Sequence, residues 1–210
     1  MIVLADNDVL YKLAQCDLFD EFLGAFSVTV ADVRILKTAR FSVQSKNRRK
    51  RLGETVFSRL SAFLTLVDDI VAEPDPVAIA ALTEQTDKNI DAGEAALFAV
   101  CPLLPGAVIT TGDKKSLTGL TAAALTDHEC ARLYQSLVGR VHCFEQVLTR
   151  ILDRSGFDAI RPKLINGREC DRGLAQWLGS GLDATETTFR DGLASYLAEA
   201  RRTSGTLLAP

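Results

Sequence analysis

The sequence lacks the features that mark membrane proteins, disulfide-rich proteins and strongly basic nucleic-acid binders. No stretch approaches the roughly 18 apolar residues of a membrane span. The five cysteines are scattered and odd in number, and no two have Cys-x-x-Cys spacing, which argues against a disulfide framework or a zinc ribbon. The formal net charge of -3 attracts no nucleic acid as a whole, so any such contact needs a local basic patch.

The first residues lack the basic start and the longer apolar run of a signal peptide. Together with cysteines that look like reduced thiols, this predicts a cytoplasmic protein without a membrane partner. One metal alternative remains among the cysteines and the two histidines: His128, Cys130, His142 and Cys143 are spaced so that they could surround zinc. The competing interpretation is that the cysteines are in the core and the histidines are on the surface.

Short apolar runs alternate with stretches of helical periodicity along most of the chain. The runs that predict strands are 2–5, 27–31, 70–72, 107–111 and 138–144. The stretches that predict helices are 9–14, 18–23, one beginning after Asp32, 56–67, 78–84, 92–100, 119–137 and 147–152. Continuous apolar strands that alternate with helices imply right-handed crossovers and buried parallel pairing. We therefore expect a three-layer α/β/α fold around a parallel sheet of about five strands.

The last quarter of the chain shows no clear strand. It contains an apolar segment around Trp177 and an amphipathic stretch from 187 to 201. We predict an α/β domain over residues 1–155 and a helical extension over 156–210 that packs on it, with Trp177 in the core.

Carboxylates follow two of the predicted strands, and two more begin a helix. Asp6 and Asp8 come after the first strand and Asp113 after the fourth, while Asp91 and Glu94 have the spacing that places them on one helical face. The carboxyl ends of parallel strands form the functional edge of an open sheet. Oxygen ligands gathered there suit Mg²⁺ or Mn²⁺, which can activate water for phosphodiester cleavage. The alternative is structural: Asp6 caps a helix, Asp113 holds a turn and Glu94 is solvated.

A second charged feature is basic. Residues 42–54 interrupt the periodicity and contain five cations in six positions: Lys46, Arg48, Arg49, Lys50 and Arg51. They form either a solvated loop or a patch that holds the phosphates of a strand entering the acidic edge.

Four short motifs follow one another over residues 1–155. The opening Ile-Val-Leu-Ala-Asp-Asn-Asp-Val-Leu resembles the first strand, with its Asp, of the PIN-like nuclease family. Ile-Asp-Ala-Gly-Glu-Ala-Ala-Leu at 90–97 is similar to the Gly-Glu helix of one branch. Val-Ile-Thr-Thr-Gly-Asp-Lys-Lys at 108–115 resembles the fourth strand with its terminal Asp and Lys, and Gly-Arg-Val-His-Cys at 139–143 resembles the closing strand.

The resemblance implies metal-dependent cleavage of single-stranded RNA, as in PIN-domain toxins and RNA-processing nucleases. Asp6, Glu94 and Asp113 would be the catalytic metal ligands, and Lys114 would contact nucleic acid. Asp8 and Asp91 are further candidate ligands. An antitoxin-like protein and a second copy of the chain are the protein partners that the resemblance suggests.

The sequence departs from the family pattern at one position. The family usually places another acid on the helix after the second strand, but residues 33–37 contain none and Asp32 comes too early. Either Asp8 or Asp91 substitutes, or metal binding is weakened. The second hypothesis is therefore a catalytically inactive module of the same fold that binds nucleic acid or protein.

A third hypothesis is a phosphatase of the haloacid-dehalogenase type. Asp6-Asn7-Asp8 also resembles that family's Asp-x-Asp, with Asp6 as nucleophile and Asp8 as acid and base. The further acid expected four or five residues after Asp113 is absent, because Leu117 and Thr118 occupy those positions.

Overall fold

The computed structural model describes residues 1–43, 46–85, 89–179, 181 and 183–210. Five parallel strands form one sheet in the order β3-β2-β1-β4-β5. The strands are β1 (Ile2–Ala5), β2 (Val33–Ile35), β3 (Asp68–Asp69), β4 (Ala107–Thr111) and β5 (Val141–Cys143). The described helices are α1 (Asn7–Cys16), α2 (Phe19–Phe26), α3 (Lys37–Val43), α4 (Lys46–Leu52), α5 (Glu54–Leu66), α6 (Pro76–Gln85), α7 (Ala92–Val100), α8 (Lys114–Ala123), α9 (His128–Leu137), α10 (Phe144–Ser155), α11 (Phe157–Gly167), α12 (Arg172–Leu178) and α13 (Glu186–Ser204).

Successive residues of β1 point into two separate apolar layers, which makes the fold three-layered. Val3 belongs to one buried cluster, together with α1, α2, α5 and α10. Leu4 belongs to the other, together with α7, α8 and α9. Because side chains alternate along a strand, a strand that is apolar at every position must be covered on both faces. The predicted α/β class with a central parallel sheet is confirmed.

The strand order places a crevice beside β1. The chain proceeds from β1 to β2 and β3 on one side, and β4 and β5 then lie on the other side of β1. The order therefore reverses between β1 and β4. In open α/β sheets, ligands bind outside the carboxyl ends of the strands at such a point. Asp6 follows β1 and Asp113 lies two residues after β4, so the topology brings their segments together.

The second strand was predicted in the wrong place. Residues 27–31 are not a strand; a 3₁₀ turn spans Val30–Asp32 and β2 follows it. Asp32 accepts hydrogen bonds from the Thr29 amide at 2.9 Å and the Thr29 hydroxyl at 2.8 Å. These local side-chain bonds compete with strand pairing and close the turn. The helix predicted to begin after Asp32 begins later, at Lys37, because β2 intervenes.

Other boundaries also differ from prediction. The third strand is Asp68–Asp69 rather than 70–72, although the Ile70 amide continues the ladder by donating to the Ile35 carbonyl at 2.8 Å. The predicted helix 119–137 is divided into α8 and α9, because Asp127 accepts from the Cys130 amide at 2.9 Å and caps a new helix. The last strand is shorter than 138–144, since Phe144 begins α10.

The basic run is helical. Lys46–Leu52 forms α4, and Gly53, at φ 76°, separates it from α5. The interpretation of the basic run 46–51 as a solvated loop is therefore wrong, because these residues are helical. Positions 44 and 45, within the interrupted stretch 42–54, lie outside the described residues.

The helices after residue 156 share the core of the sheet. Leu174, Trp177 and Phe189 belong to the same buried cluster as Val3. Trp177 is 8 % exposed and meets Phe189 edge-on, with ring centroids 5.9 Å apart, so its predicted core position is confirmed. Beyond α13, Leu208 forms a parallel bridge with Val141 at the edge of the sheet. The boundary at 155 stays a prediction. No helix in the described ranges combines the length and apolarity needed to cross a membrane.

Candidate active site

All five predicted acidic residues line one cavity at the carboxyl edge of the sheet. This cavity, here called the rim cavity, has a volume of about 890 Å³. Its acidic side is formed by the residues predicted from the sequence, namely Asp6, Asp8, Asp91, Glu94 and Asp113. The other sides come from α3, α4 and the segment between α11 and α12. The cavity lies outside β1 and β4, where the reversal of strand order predicts a ligand site.

Asp6 is fixed by two hydrogen bonds at the start of α1. One carboxylate oxygen accepts from the Asn7 amide at 2.6 Å, and the other accepts from the Thr111 hydroxyl at 3.1 Å. The same Thr111 oxygen accepts from the Asp113 amide at 3.1 Å. Thr111 therefore connects the two strand ends at the switch point. Thr111 was not among the predicted site residues, although it directly precedes the Gly-Asp pair.

Asp91 and Glu94 hold each other through reciprocal hydrogen bonds at the start of α7. Asp91 accepts from the Glu94 amide at 2.8 Å, and Glu94 accepts from the Asp91 amide at 2.9 Å. This capping box fixes both side chains at the N-terminus of the helix. Asp113 caps α8 in the same way by accepting from the Lys115 amide at 2.7 Å. The capping role considered for Asp6 is thus present, whereas Asp113 caps a helix rather than holding a turn. The alternative that Glu94 is solvated is wrong, because its side chain is buried.

Burial and mutual repulsion make two of these carboxyl groups hard to ionise. Burial, followed by the charge of Asp8, raises the pKa of Asp6 to about 6. Burial raises the pKa of Glu94 to about 8, and the charges of Asp113, Asp91 and Asp6 add to it. Hydrogen bonds from nearby amides oppose both shifts but do not reverse them. The cavity therefore concentrates negative charge that a cation would stabilise.

A buried lysine is the main feature that the sequence analysis missed. Lys12 is 8 % exposed and its ammonium lies 2.8 Å from Asp8 and 2.9 Å from Asp171, in the extension. It also lies 5.0 Å from the centre of the Phe144 ring. Burial alone lowers the pKa of Lys12, but the two carboxylates outweigh it and raise the pKa above its usual value. Asp8 is therefore committed to a lysine, which weakens its assignment as a metal ligand.

The helix after β2 supplies hydroxyl groups to the cavity rather than an acid. Thr38 and Ser42 of α3 line it, and the Ser42 hydroxyl lies 2.8 Å from the Tyr11 hydroxyl. The observed helix, 37–43, contains no Asp or Glu. The predicted absence of the additional acid therefore holds at the corrected position of the helix.

The basic helix contributes only some of its cations to the rim cavity. Arg48 and Arg51 line it, and the guanidinium of Arg48 lies 4.3 Å from the centre of the Tyr11 ring. Arg49 instead forms two hydrogen bonds with Glu54, at 2.8 and 2.6 Å. Lys50 is exposed and does not line the cavity, and the Lys46 side chain lies outside the described part of the structure.

Lys114 does not line the rim cavity. Its ammonium donates to buried Glu145 at 2.6 Å and lies 4.9 Å from the centre of the Tyr196 ring. It lines a second cavity of about 550 Å³ between α8 and α13. Its predicted contact with nucleic acid stays a prediction, and such a contact would lie outside the rim cavity.

Among the described residues, no three His, Cys, Asp or Glu side chains are arranged as ligands of a metal ion. The rim carboxylates share a cavity, but their hydrogen bonds are those of helix caps. The proposed zinc group is not formed. The His128 side chain is 91 % exposed, whereas His142 is buried and packs edge-on against Phe26. Burial lowers the pKa of His142 to about 4.

Comparison of the chain with protein-family models, with curated proteins and with solved structures found no match.

Proposed function

We propose that this protein is a metal-dependent endoribonuclease of the PIN-like type. The observation that carries the proposal is the rim cavity, in which Asp6, Glu94 and Asp113 face a common space outside β1 and β4. Three separate segments deliver these carboxylates, and they do so at the switch point of a parallel sheet. The arrangement agrees with the motif resemblance, in which the same three residues are the metal ligands.

The donor chemistry of the rim cavity suits Mg²⁺ or Mn²⁺, because these ions prefer carboxylate oxygens. Burial, and after it the neighbouring carboxylates, raises the pKa values of Asp6 and Glu94, so a bound cation would stabilise their ionised forms. The Asp91 amide occupies one carboxylate oxygen of Glu94, which leaves the other oxygen as the candidate ligand. An ion bound there supplies Lewis acidity for phosphodiester hydrolysis. Hydrogen bonds within the chain orient the candidate ligands: the Thr111 hydroxyl donates to Asp6, and the Lys115 amide donates to Asp113.

The charges around the cavity also suit a nucleic-acid strand. Arg48 and Arg51 lie on the wall formed by α4 and can contact the phosphates of a strand that passes the acids. The positive ends of α1, α7 and α8 also lie at the cavity. They favour anionic groups there, ligands and phosphates alike.

Metal binding is expected to release protons, and this tests the proposal directly. At pH 7 a group with a pKa of about 8 is mostly protonated, so Glu94 must lose its proton to bind Mn²⁺. Asp6, with a pKa of about 6, is mostly ionised at pH 7 and adds only a small fraction of a proton to the release. Calorimetric titration with Mn²⁺ in buffers of different ionisation enthalpy should therefore show release of roughly one proton per ion. At pH 9, above both pKa values, the release should nearly vanish.

Glu94→Gln is the matched variant for this titration. It removes the protonated group, so any remaining binding should be weaker and should release almost no protons. Absence of Mn²⁺ binding to the native chain at millimolar concentration would contradict the metal site. Binding with the same proton release in Glu94→Gln would remove Glu94 from the ligands.

Replacing Arg48 and Arg51 together with Gln is expected to weaken the binding of single-stranded RNA uniformly across sequences, because phosphate contacts carry no base information. The dependence of log affinity on log salt should become shallower by about 0.7 for each lost contact. Fluorescence anisotropy with short RNAs at several salt concentrations, in Ca²⁺ or without metal, measures both quantities.

The control is Arg49→Gln with Lys50→Gln. It removes the same number of charges from the same helix, but from positions that do not line the cavity. Equal losses of RNA affinity in the two double variants would mean that all cations of the run attract RNA alike, whether or not they line the cavity. No loss in either variant would mean that α4 is only a solvated surface.

Two observations favour the second hypothesis, a module of the same fold that binds nucleic acid without cutting it. Asp8 is bound to Lys12 and α3 carries no acid, so the cavity offers fewer ligands than the resemblance implies. RNA binding that depends on Arg48 and Arg51, without Mn²⁺ uptake, would support this alternative. The salt bridge of Asp8 also counts against the phosphatase hypothesis, which needs Asp8 as a proton donor.

A further inference from the structure

Two cysteines that are far apart in sequence meet beside the rim cavity. The sulfur of Cys16, at the end of α1, lies 3.8 Å from the sulfur of Cys170, in the 3₁₀ turn before α12. Cys16 is 1 % exposed, whereas Cys170 is half-buried and lines the rim cavity. A disulfide needs sulfurs about 2.05 Å apart, so the two side chains must rotate toward each other to close the remaining gap.

Close packing around the pair holds the two chain segments next to each other. A side chain at Gly167 would approach the Cα of Cys16 to 2.7 Å, so the ends of α1 and α11 pack with almost no space between them. Lys163 of α11 also donates to the Asp17 carbonyl at 2.9 Å. These contacts fix the turn that carries Cys170 close to Cys16.

The turn also connects the pair to the charged wall of the cavity. Cys170 directly precedes Asp171, which caps α12 by accepting from the Gly173 amide at 2.8 Å and holds Lys12 at 2.9 Å. Any movement of Cys170 toward α1 therefore moves a neighbour of the Lys12–Asp171 pair.

We propose that Cys16 and Cys170 form a dithiol site that reacts with small-molecule disulfides and closes to an intramolecular disulfide, which fixes one wall of the rim cavity. Cys170, reached from the cavity, attacks the reagent's S–S bond and releases one thiol. The Cys16 thiol then displaces the second thiol and forms the bond between the two cysteines. The protein loses two protons and two electrons, and the reagent disulfide is reduced to two thiols.

The reaction is expected to be slow compared with that of an exposed thiol. The contact with Cys16 and burial raise the pKa of the Cys170 thiol, so little of the reactive thiolate is present at neutral pH. The proposal is independent of nuclease activity, since neither its chemistry nor its measurement needs metal or RNA.

The test is incubation of the full chain with oxidised glutathione, followed by acid quenching, alkylation of the remaining thiols and mass spectrometry. The expected product lacks retained glutathione, has two of its five cysteines protected, and yields a linked peptide pair containing Cys16 and Cys170. Hydrogen exchange should slow at the amides of Arg168–Cys170, and dithiothreitol should reverse both changes.

Two variants separate the proposal from unspecific oxidation. In Cys16→Ser, glutathione should remain attached to Cys170, because no second thiol can displace it. In Cys130→Ala, which removes a buried cysteine of α9, the Cys16–Cys170 bond should still form. Five alkylated cysteines, a different linked pair or persistent glutathione on the native chain would overturn the dithiol site. If the Cys16–Cys170 bond forms but amide hydrogen exchange at Arg168–Cys170 does not slow, the inference that the bond fixes the cavity wall would be overturned.

Discussion

Asp6→Asn is expected to abolish Mn²⁺-dependent cleavage of single-stranded RNA and to leave the chain folded. The substitution removes a ligand charge at the switch point between β1 and β4, where the proposed ion binds. A catalytic metal contributes several kcal/mol to transition-state stabilisation, so the rate should fall on the order of 1,000-fold. Single-turnover cleavage of a labelled RNA in Mn²⁺ measures the loss.

The same substitution should stabilise the fold at neutral pH. The folded pKa of Asp6, about 6, lies above the ordinary value of 3.8. Ionisation therefore costs stability as pH rises from about 4 to 6, and the cost stays constant above that. A shift of this size corresponds to about 3 kcal/mol at most. Asn retains an oxygen that can accept from the Asn7 amide, so we expect a net gain of about 1–3 kcal/mol at pH 7 and none below pH 4.

Asp127→Asn is the matched control for Asp6→Asn. Asp127 is also an aspartate that caps a helix, but it does not line the rim cavity, and its hydrogen bond from the Cys130 amide lowers its pKa. The control should not gain stability at pH 7 and should cleave RNA like the native chain. Cleavage by Asp6→Asn at the native rate would remove Asp6 from the mechanism. Equal changes in the free energy of unfolding in the two variants would mean that ionisation of Asp6 does not cost stability.

The parts of the site that the sequence predicts are those encoded in contiguous residues. β1 and β4 were recognised with their observed bounds, because each is an apolar run buried on both faces and followed by Asp or Gly-Asp. The helix α7 was also predicted with its observed bounds, and the structure adds that Asp91 and Glu94 form a capping box at its start. Once the sheet is parallel, the positions of Asp6 and Asp113 at one edge follow from topology alone.

The parts that the sequence did not predict depend on contacts between distant segments. β3 consists of Asp68 and Asp69, two acidic residues that no apolar pattern selects; Asp69 is held by Arg40 at 2.7 Å. β2 was misplaced because Thr29 and Asp32 close a turn within a β-branched run. Asp171 gave no local signal, since its partner is on α1. Lys12 is a cation on the otherwise apolar buried face of α1, and this position was a local sign of a buried ion pair.

Lys12→Met is expected to destabilise the protein by about 3 kcal/mol, because breaking a buried ion pair leaves an uncompensated charge. The Asp171 side chain is 18 % exposed and loses its cation, whereas that of Asp8, at 46 %, can be rehydrated. The lowered pKa of Asp171 depends on Lys12, so in the variant it should rise and the stability lost at pH 7 should be partly regained at lower pH. Denaturant unfolding at pH 7 and pH 5 measures both effects.

A double-mutant cycle isolates the Lys12–Asp171 pair from general repacking. Lys12→Met combined with Asp171→Asn removes both charges. The double variant should therefore lose less unfolding free energy than the sum of the two single variants, by about 1–3 kcal/mol. Lys115→Met is the control for removing a cation, because Lys115 is exposed, and it should change stability by no more than about 0.5 kcal/mol. Additive losses in the cycle would mean that Asp171 is not held by Lys12. Among the described residues, Lys12 is the only cation within salt-bridge distance of Asp171. Without an energetic coupling in this pair, Asp171 would have no ionic contact with the cavity wall, and the extension would contribute to the rim cavity through packing alone.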